Sequence, residues 1–167
     1  MSDQRPVLLC DVDGVISLWG FDHSTPPPGF WVQVDGSAHY MSEEAAEQLR
    51  ALTPEPFELV WCTGWEERAE EHLPGLLDLP PGNPFLRFDG RSRAEVSAHG
   101  HWKLPAIDRF CRGRVAVWID DALDEACRAW AAARPEPTLL VPTDPASGLT
   151  AAHAADVQAF GAAMLGL

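Results

Sequence analysis

Four short apolar runs, at residues 6–10, 57–62, 115–119 and 138–141, punctuate the chain. Each is continuous rather than alternating, the pattern of strands buried on both faces of a parallel sheet. Helical patterns separate them. Ser42 is placed to cap a helix whose Ala45, Ala46, Leu49 and Leu52 share one stripe. Residues 66–73, 105–111, 122–133 and 150–165 predict further helices, the last opened by the turn residues Asp144, Pro145 and Gly148. Strand alternating with helix predicts an α/β fold with a parallel sheet, right-handed crossovers and helices on both faces.

Two segments break that rhythm. Residues 17–41 carry Pro26, Pro27 and Pro28, several aromatics and an alternation from Phe30 to Val34, which predicts a flap or hairpin inserted after the first strand. Residues 74–101 are rich in proline and glycine and predict a loop-dominated connection, with one short strand at 85–88. No internal repeat or linker divides the chain, so residues 1–167 are expected to form a single domain.

Composition narrows the function classes. Hydrophobic residues make up 46% of the chain and charged residues 22%, enough for a sizeable core. No stretch approaches the roughly 20 apolar residues that span a bilayer. The first residues lack the basic and apolar regions of a signal peptide, so a cytoplasmic protein without a membrane partner is expected. Cys10, Cys62, Cys111 and Cys127 show no CxxC spacing and are expected to be reduced and buried. The formal net charge of -13 opposes a nucleic-acid backbone but not a small phosphorylated ligand held by a local cation.

The ends of the runs carry the chemistry. The first run leads into Asp11-Val12-Asp13-Gly14, two carboxylates followed by a residue that lets the chain turn, so that both can address one ligand. Ligands of open parallel sheets collect at this end of the strands. As turn-forming residues in a solvated loop, the same two acids would need no ligand. The third run ends in Asp120-Asp121. Asp121 is also placed to cap the next helix. If the two strands are neighbours, up to four acids converge, and they must take up protons or bind a cation. An all-oxygen site of this kind suits Mg2+. The second run ends in Thr63-Gly64, a hydroxyl and an accessible backbone suited to phosphate oxygens, although Thr63 alone reads as a helix N-cap. Lys103, in apolar company between Trp102 and Leu104, supplies a cation for phosphate or aspartate.

The ordered set of Asp11-Val12-Asp13-Gly14-Val15, Cys62-Thr63-Gly64, an isolated Lys103 and Ile119-Asp120-Asp121 resembles the haloacid dehalogenase (HAD) superfamily. That resemblance spans residues 7–121 and implies a Rossmann-like sheet in which the motif strands are adjacent. It implies that Asp11 is the nucleophile forming an aspartyl-phosphate and that Asp13 is the general acid/base. Thr63 and Gly64 would bind the phosphoryl group and Lys103 would neutralise charge. Asp11, Asp13 (through its backbone carbonyl), Asp120 and Asp121 would hold Mg2+. An acid at position 13 selects phosphomonoester hydrolysis or transfer over the ATPase and phosphonate-cleaving branches.

The short segment after the first motif implies no large cap and an open site. Phe21, Phe30, Trp31 and Tyr40 are available to line it, although aromatics at a flap base more often pack. His23 and His39 are expected to be ordinary exposed histidines. The Trp65 turn and the lysine segment also look like small bacterial members grouped with nucleic-acid repair enzymes, which implies a phosphorylated polynucleotide end as an alternative substrate. Phosphotransfer, and a phospho-ligand binding module without turnover, are the other readings.

Overall fold

The structure is a computed structural model that describes residues 5–88 and 101–166. Four parallel strands form the central sheet: β1 (Val7–Cys10), β5 (Glu58–Trp61), β6 (Ala116–Asp120) and β7 (Thr138–Pro142), in the spatial order β5-β1-β6-β7. Every residue of β1 and β6 is buried, as their unbroken apolar runs predict.

Alternate side chains serve two cores. Leu8, Cys10, Leu59, Trp61, Val117 and Ile119 face α1 (Glu43–Leu52), α2 (Glu67–Leu77) and α5 (Ala151–Leu165). Val7, Leu9, Val60, Cys62 and Trp118 face α3 (Leu104–Phe110) and α4 (Glu125–Ala133). Helices therefore cover both faces, and the architecture is Rossmann-like. From β1 the chain crosses by α1 to β5 on one flank; from β6 it crosses by α4 to β7 on the opposite flank and the opposite face. The connections diverge between β1 and β6, which makes the carboxyl ends of those strands a topological switch point.

Local chemistry explains the helix limits. The Ser42 hydroxyl accepts from Ala45 N at 3.0 Å, and α1 buries Ala45, Ala46, Leu49 and Leu52 as expected. Thr150 caps α5 in a capping box with His153. Two limits differ from expectation. The helix predicted to stop at residue 73 continues through Pro74 to Leu77, because Leu73, Pro74 and Leu77 all find burial. The helix expected from residue 122 starts at Glu125, capped by Asp124, whose carboxylate accepts from Cys127 N at 3.0 Å. Asp121 is thus not a helix cap.

The flap is a three-stranded antiparallel sheet of β2 (Ser17–Leu18), β3 (Gly29–Val34) and β4 (Ser37–Ser42), ordered β2-β4-β3. Asp35 and Gly36 both take positive φ, as a two-residue hairpin turn demands. The predicted strand at 85–88 reduces to one bridge between Phe85 and Trp61. Residues 89–100 of the loop-rich connection lie outside the described residues. All four cysteines are buried and unpaired. Among the described residues, no helix is long and apolar enough to cross a membrane.

Candidate active site at the sheet switch point

The register of β1 against β6 pairs Cys10 with Ile119, which brings the next residues, Asp11 and Asp120, side by side. Both belong to the alternation that points toward α3 and α4, and Lys103 stands at the amino end of α3 on that same face. Lys103 Nζ lies 3.1 Å from Asp11 Oδ1 and 2.6 Å from Asp120 Oδ2, and donates to Cys62 O at 2.9 Å. Asp11, Lys103 and Asp120 are all buried. The carboxylates of Asp11, Asp120 and Asp121 offer oxygens that all lie within 4.8 Å of one another.

The two central acids are held differently. Asp120 has partners on both oxygens: Oδ2 accepts from Lys103 and from Trp118 Nε1 at 3.2 Å, and Oδ1 from Ala122 N at 2.9 Å. For Asp11, both donors among the described residues, Val12 N at 2.8 Å and Lys103 Nζ, reach Oδ1. Its Oδ2 has no donor among the described residues. Burial outweighs the help of Lys103 and raises the Asp11 pKa to about 7. Asp121 is raised in the same direction, by burial and then by the Asp120 charge. For Lys103, burial opposes the ammonium, but the surrounding anions, Asp11 foremost, raise its pKa overall.

This donor set fits a metal ion. Of the three grouped carboxylates, Lys103 contacts Asp11 and Asp120, and Asp11 and Asp121 bear raised pKa values that a cation would relieve. Gly14 makes room for the third: a Cβ there would lie 2.2 Å from Asp121 Oδ2, and the glycine takes φ +77°. The Gly14 carbonyl in turn accepts from Thr143 Oγ1 at 2.9 Å, which ties the loop after β1 to the end of β7.

Asp13 does not join the carboxylate group. Beyond Asp11 the chain folds back, with Ser17 N donating to Val12 O at 3.0 Å, and the Asp13 side chain comes out toward the flap, half exposed. Trp65 Nε1 donates to its Oδ2 at 3.0 Å, and His39 Nδ1 lies 3.9 Å from its Oδ1. His39 is therefore not an ordinary exposed histidine. It is largely covered, bonded to Ser17 Oγ at 2.9 Å and packed edge-on against Trp65 at 4.8 Å between centroids.

Thr63 is buried just past the end of β5. It is not the cap of α2, a position Glu66 occupies; its Oγ1 accepts from Trp65 N at 3.2 Å. Gly64 is exposed, with Trp102 nearby at 3.8 Å from where a Cβ would sit. Of the flap aromatics, Tyr40 is buried, Phe21 packs on it at 4.7 Å, and Trp31 and His23 stand exposed together, while Phe30 packs on the core. Sequence reasoning missed the roles of Trp118, Thr143 and His39. Thr143 had a readable signal, since it follows the fourth apolar run at the same sheet end as the acids.

No protein-family model matches the chain, and no curated protein matches it at a significant level.

Proposed function

We propose that this chain is an Mg2+-dependent phosphomonoester hydrolase of the HAD type, working through an aspartyl-phosphate. One observation carries the reading: at the β1/β6 switch point, Lys103 is buried in contact with both Asp11 and Asp120, and Asp121 completes a carboxylate group beside them. A structural salt bridge needs one acid per lysine. Surplus buried carboxylates at a ligand-binding crevice favour a cation and an anion bound together.

The residues divide the chemistry as follows. Asp11 Oδ2, the oxygen without a donor among the described residues, attacks phosphorus while Lys103 and Val12 N hold Oδ1 in place. As the P–Oδ2 bond forms, the P–O ester bond breaks and Asp13 gives its proton to the leaving oxygen. Asp13 then takes a proton from water, whose oxygen attacks phosphorus and displaces the Asp11 carboxylate. The Thr63 hydroxyl and the Gly64 backbone are suited to the phosphoryl oxygens. Mg2+ held by Asp11, Asp120, Asp121 and the Asp13 backbone carbonyl would neutralise charge between the nucleophile and the phosphoryl group. The acidic net charge favours a small phosphorylated substrate over a nucleic-acid chain.

The test is release of phosphate from p-nitrophenyl phosphate by the purified chain. Release should require Mg2+, stop with EDTA and be abolished by Asp11→Asn. Persistent release by Asp11→Asn refutes the nucleophile. Inertness toward nucleotides, sugar phosphates, aryl phosphates and phosphorylated oligonucleotide ends would replace the enzyme by a binding module.

A further inference from the structure

Of the four acids predicted from the sequence, Asp13 alone stands apart from the carboxylate group, and its surroundings suggest why. Its side chain is about half exposed, so nothing in its burial would fix its direction. Two residues from different elements converge on it instead. Trp65, from the turn after β5, is only 7% exposed and aims its indole N–H at Oδ2 from 3.0 Å. His39, from the flap strand β4, stands 3.9 Å from Oδ1 and braces the indole edge-on at 4.8 Å. Ser17, from β2, fixes the imidazole through Nδ1 at 2.9 Å.

We propose that Trp65, braced by His39 of the flap, is a positioning residue that holds the Asp13 carboxyl for proton transfer; this rests on the phosphatase reading. An indole N–H donates and never accepts. It therefore keeps its bond to Oδ2 whether the carboxyl is charged or protonated, and leaves Oδ1 to carry the proton in both halves of the reaction. The imidazole is too distant for a hydrogen bond to Asp13. Its contribution is to the indole, and it makes the flap part of the acid/base apparatus rather than a cover alone.

Leaving-group dependence separates positioning from mere folding. A good leaving group such as p-nitrophenolate departs with little protonation, whereas an alkoxide needs the acid. With Mg2+, Trp65→Phe should lower kcat/KM, which reports only the step that expels the leaving group, about 30-fold on ethyl phosphate but less than about 3-fold on p-nitrophenyl phosphate. In an Asp13→Asn background it should have no further effect on either ester. Equal losses on the two esters, or additive losses in the double variant, would overturn the proposal. A second measurement needs no turnover. Among the indole N–H resonances of the seven tryptophans, the one lost in Trp65→Phe should shift in Asp13→Asn and in His39→Ala. An unmoved resonance overturns the positioning claim. If the wild type cleaves neither ester, the phosphatase reading falls, and the resonance still decides whether Trp65 holds Asp13.

Discussion

Replacing Asp11 by asparagine should stabilise the metal-free protein, even though it removes the proposed nucleophile. Asp11 is 7% exposed, and its pKa is raised from 3.8 to about 7. A carboxyl raised in the folded state binds more protons there than in the unfolded chain, so stability falls as pH rises between those two values. At about 1.4 kcal/mol per pH unit, this one group costs about 4 kcal/mol above pH 7, and nothing below pH 3.8. The variant is free of that slope. Its geometry also suits an amide: Oδ1 keeps both donors, and the new NH2 takes the place of Oδ2, which has no protein donor among the described residues. Lys103 loses one charged partner but retains Asp120 at 2.6 Å and the Cys62 carbonyl, a matched pair. The raised pKa already sets the attraction of Lys103 against burial, so up to about 4 kcal/mol favours the variant at pH 8, or several degrees in Tm. Urea unfolding in EDTA at pH 5, 6.5 and 8 measures the difference, and titrations common to both proteins cancel. The gap should widen with pH. A variant less stable than wild type at pH 8, or a gap that does not grow from pH 5 to 8, would refute the claim that Asp11 is a destabilised anion.

Three further substitutions probe the same cluster. Asp120→Asn should behave in the opposite way, losing about 2–4 kcal/mol, because its amide NH2 would face the donors Lys103 Nζ and Trp118 Nε1 when Oδ1 keeps Ala122 N; chemical unfolding beside Asp11→Asn gives the contrast. Lys103→Met leaves Asp11 and Asp120 buried without their cation and should cost about 3–5 kcal/mol at pH 8, with part of the loss recovered at pH 5 as protons replace the lysine. Gly14→Ala places a Cβ 2.2 Å from Asp121 Oδ2 at a φ of +77°, so it should cost about 1–2 kcal/mol and weaken Mg2+ binding about 10-fold by calorimetry.

The sheet was legible because burial on both faces leaves no alternation to disguise a strand. The runs that become β1, β5, β6 and β7 are short and unbroken by alternation, and the paired acids at the ends of those that become β1 and β6 stand out against them. Asp11, Asp120, Asp121 and Lys103 could be proposed together because strand order and parallel register convert sequence ends into spatial neighbours. Helix limits were less legible. Pro74 reads as a stop when only its missing N–H is considered, yet burial of its ring and of Leu77 carries α2 onward. The sequence placed Asp121 as the cap, but Asp120 accepts from Ala122 N in a turn and Asp124 caps the helix that begins at Glu125. The company of Asp13 was not legible. Its contact with Trp65 joins residues far apart in the chain, and its proximity to His39 depends on how the flap folds back.

The charge arrangement also bears on how an acidic protein can admit a phosphate ester. Around the switch point, three carboxylates face one buried ammonium, so the bare site repels an anion as the whole chain does. Protons or a dication must first meet that excess. Protons alone would do so at the expense of Asp11, since the acid raised to about 7 is the one whose anion is needed for attack. A dication satisfies both demands, because it favours the ionised carboxylates while reversing the local sign. The surplus of acids over lysine, which costs stability when the site is empty of charge partners, is thus the feature that couples anion entry to cation binding on the proposed reading.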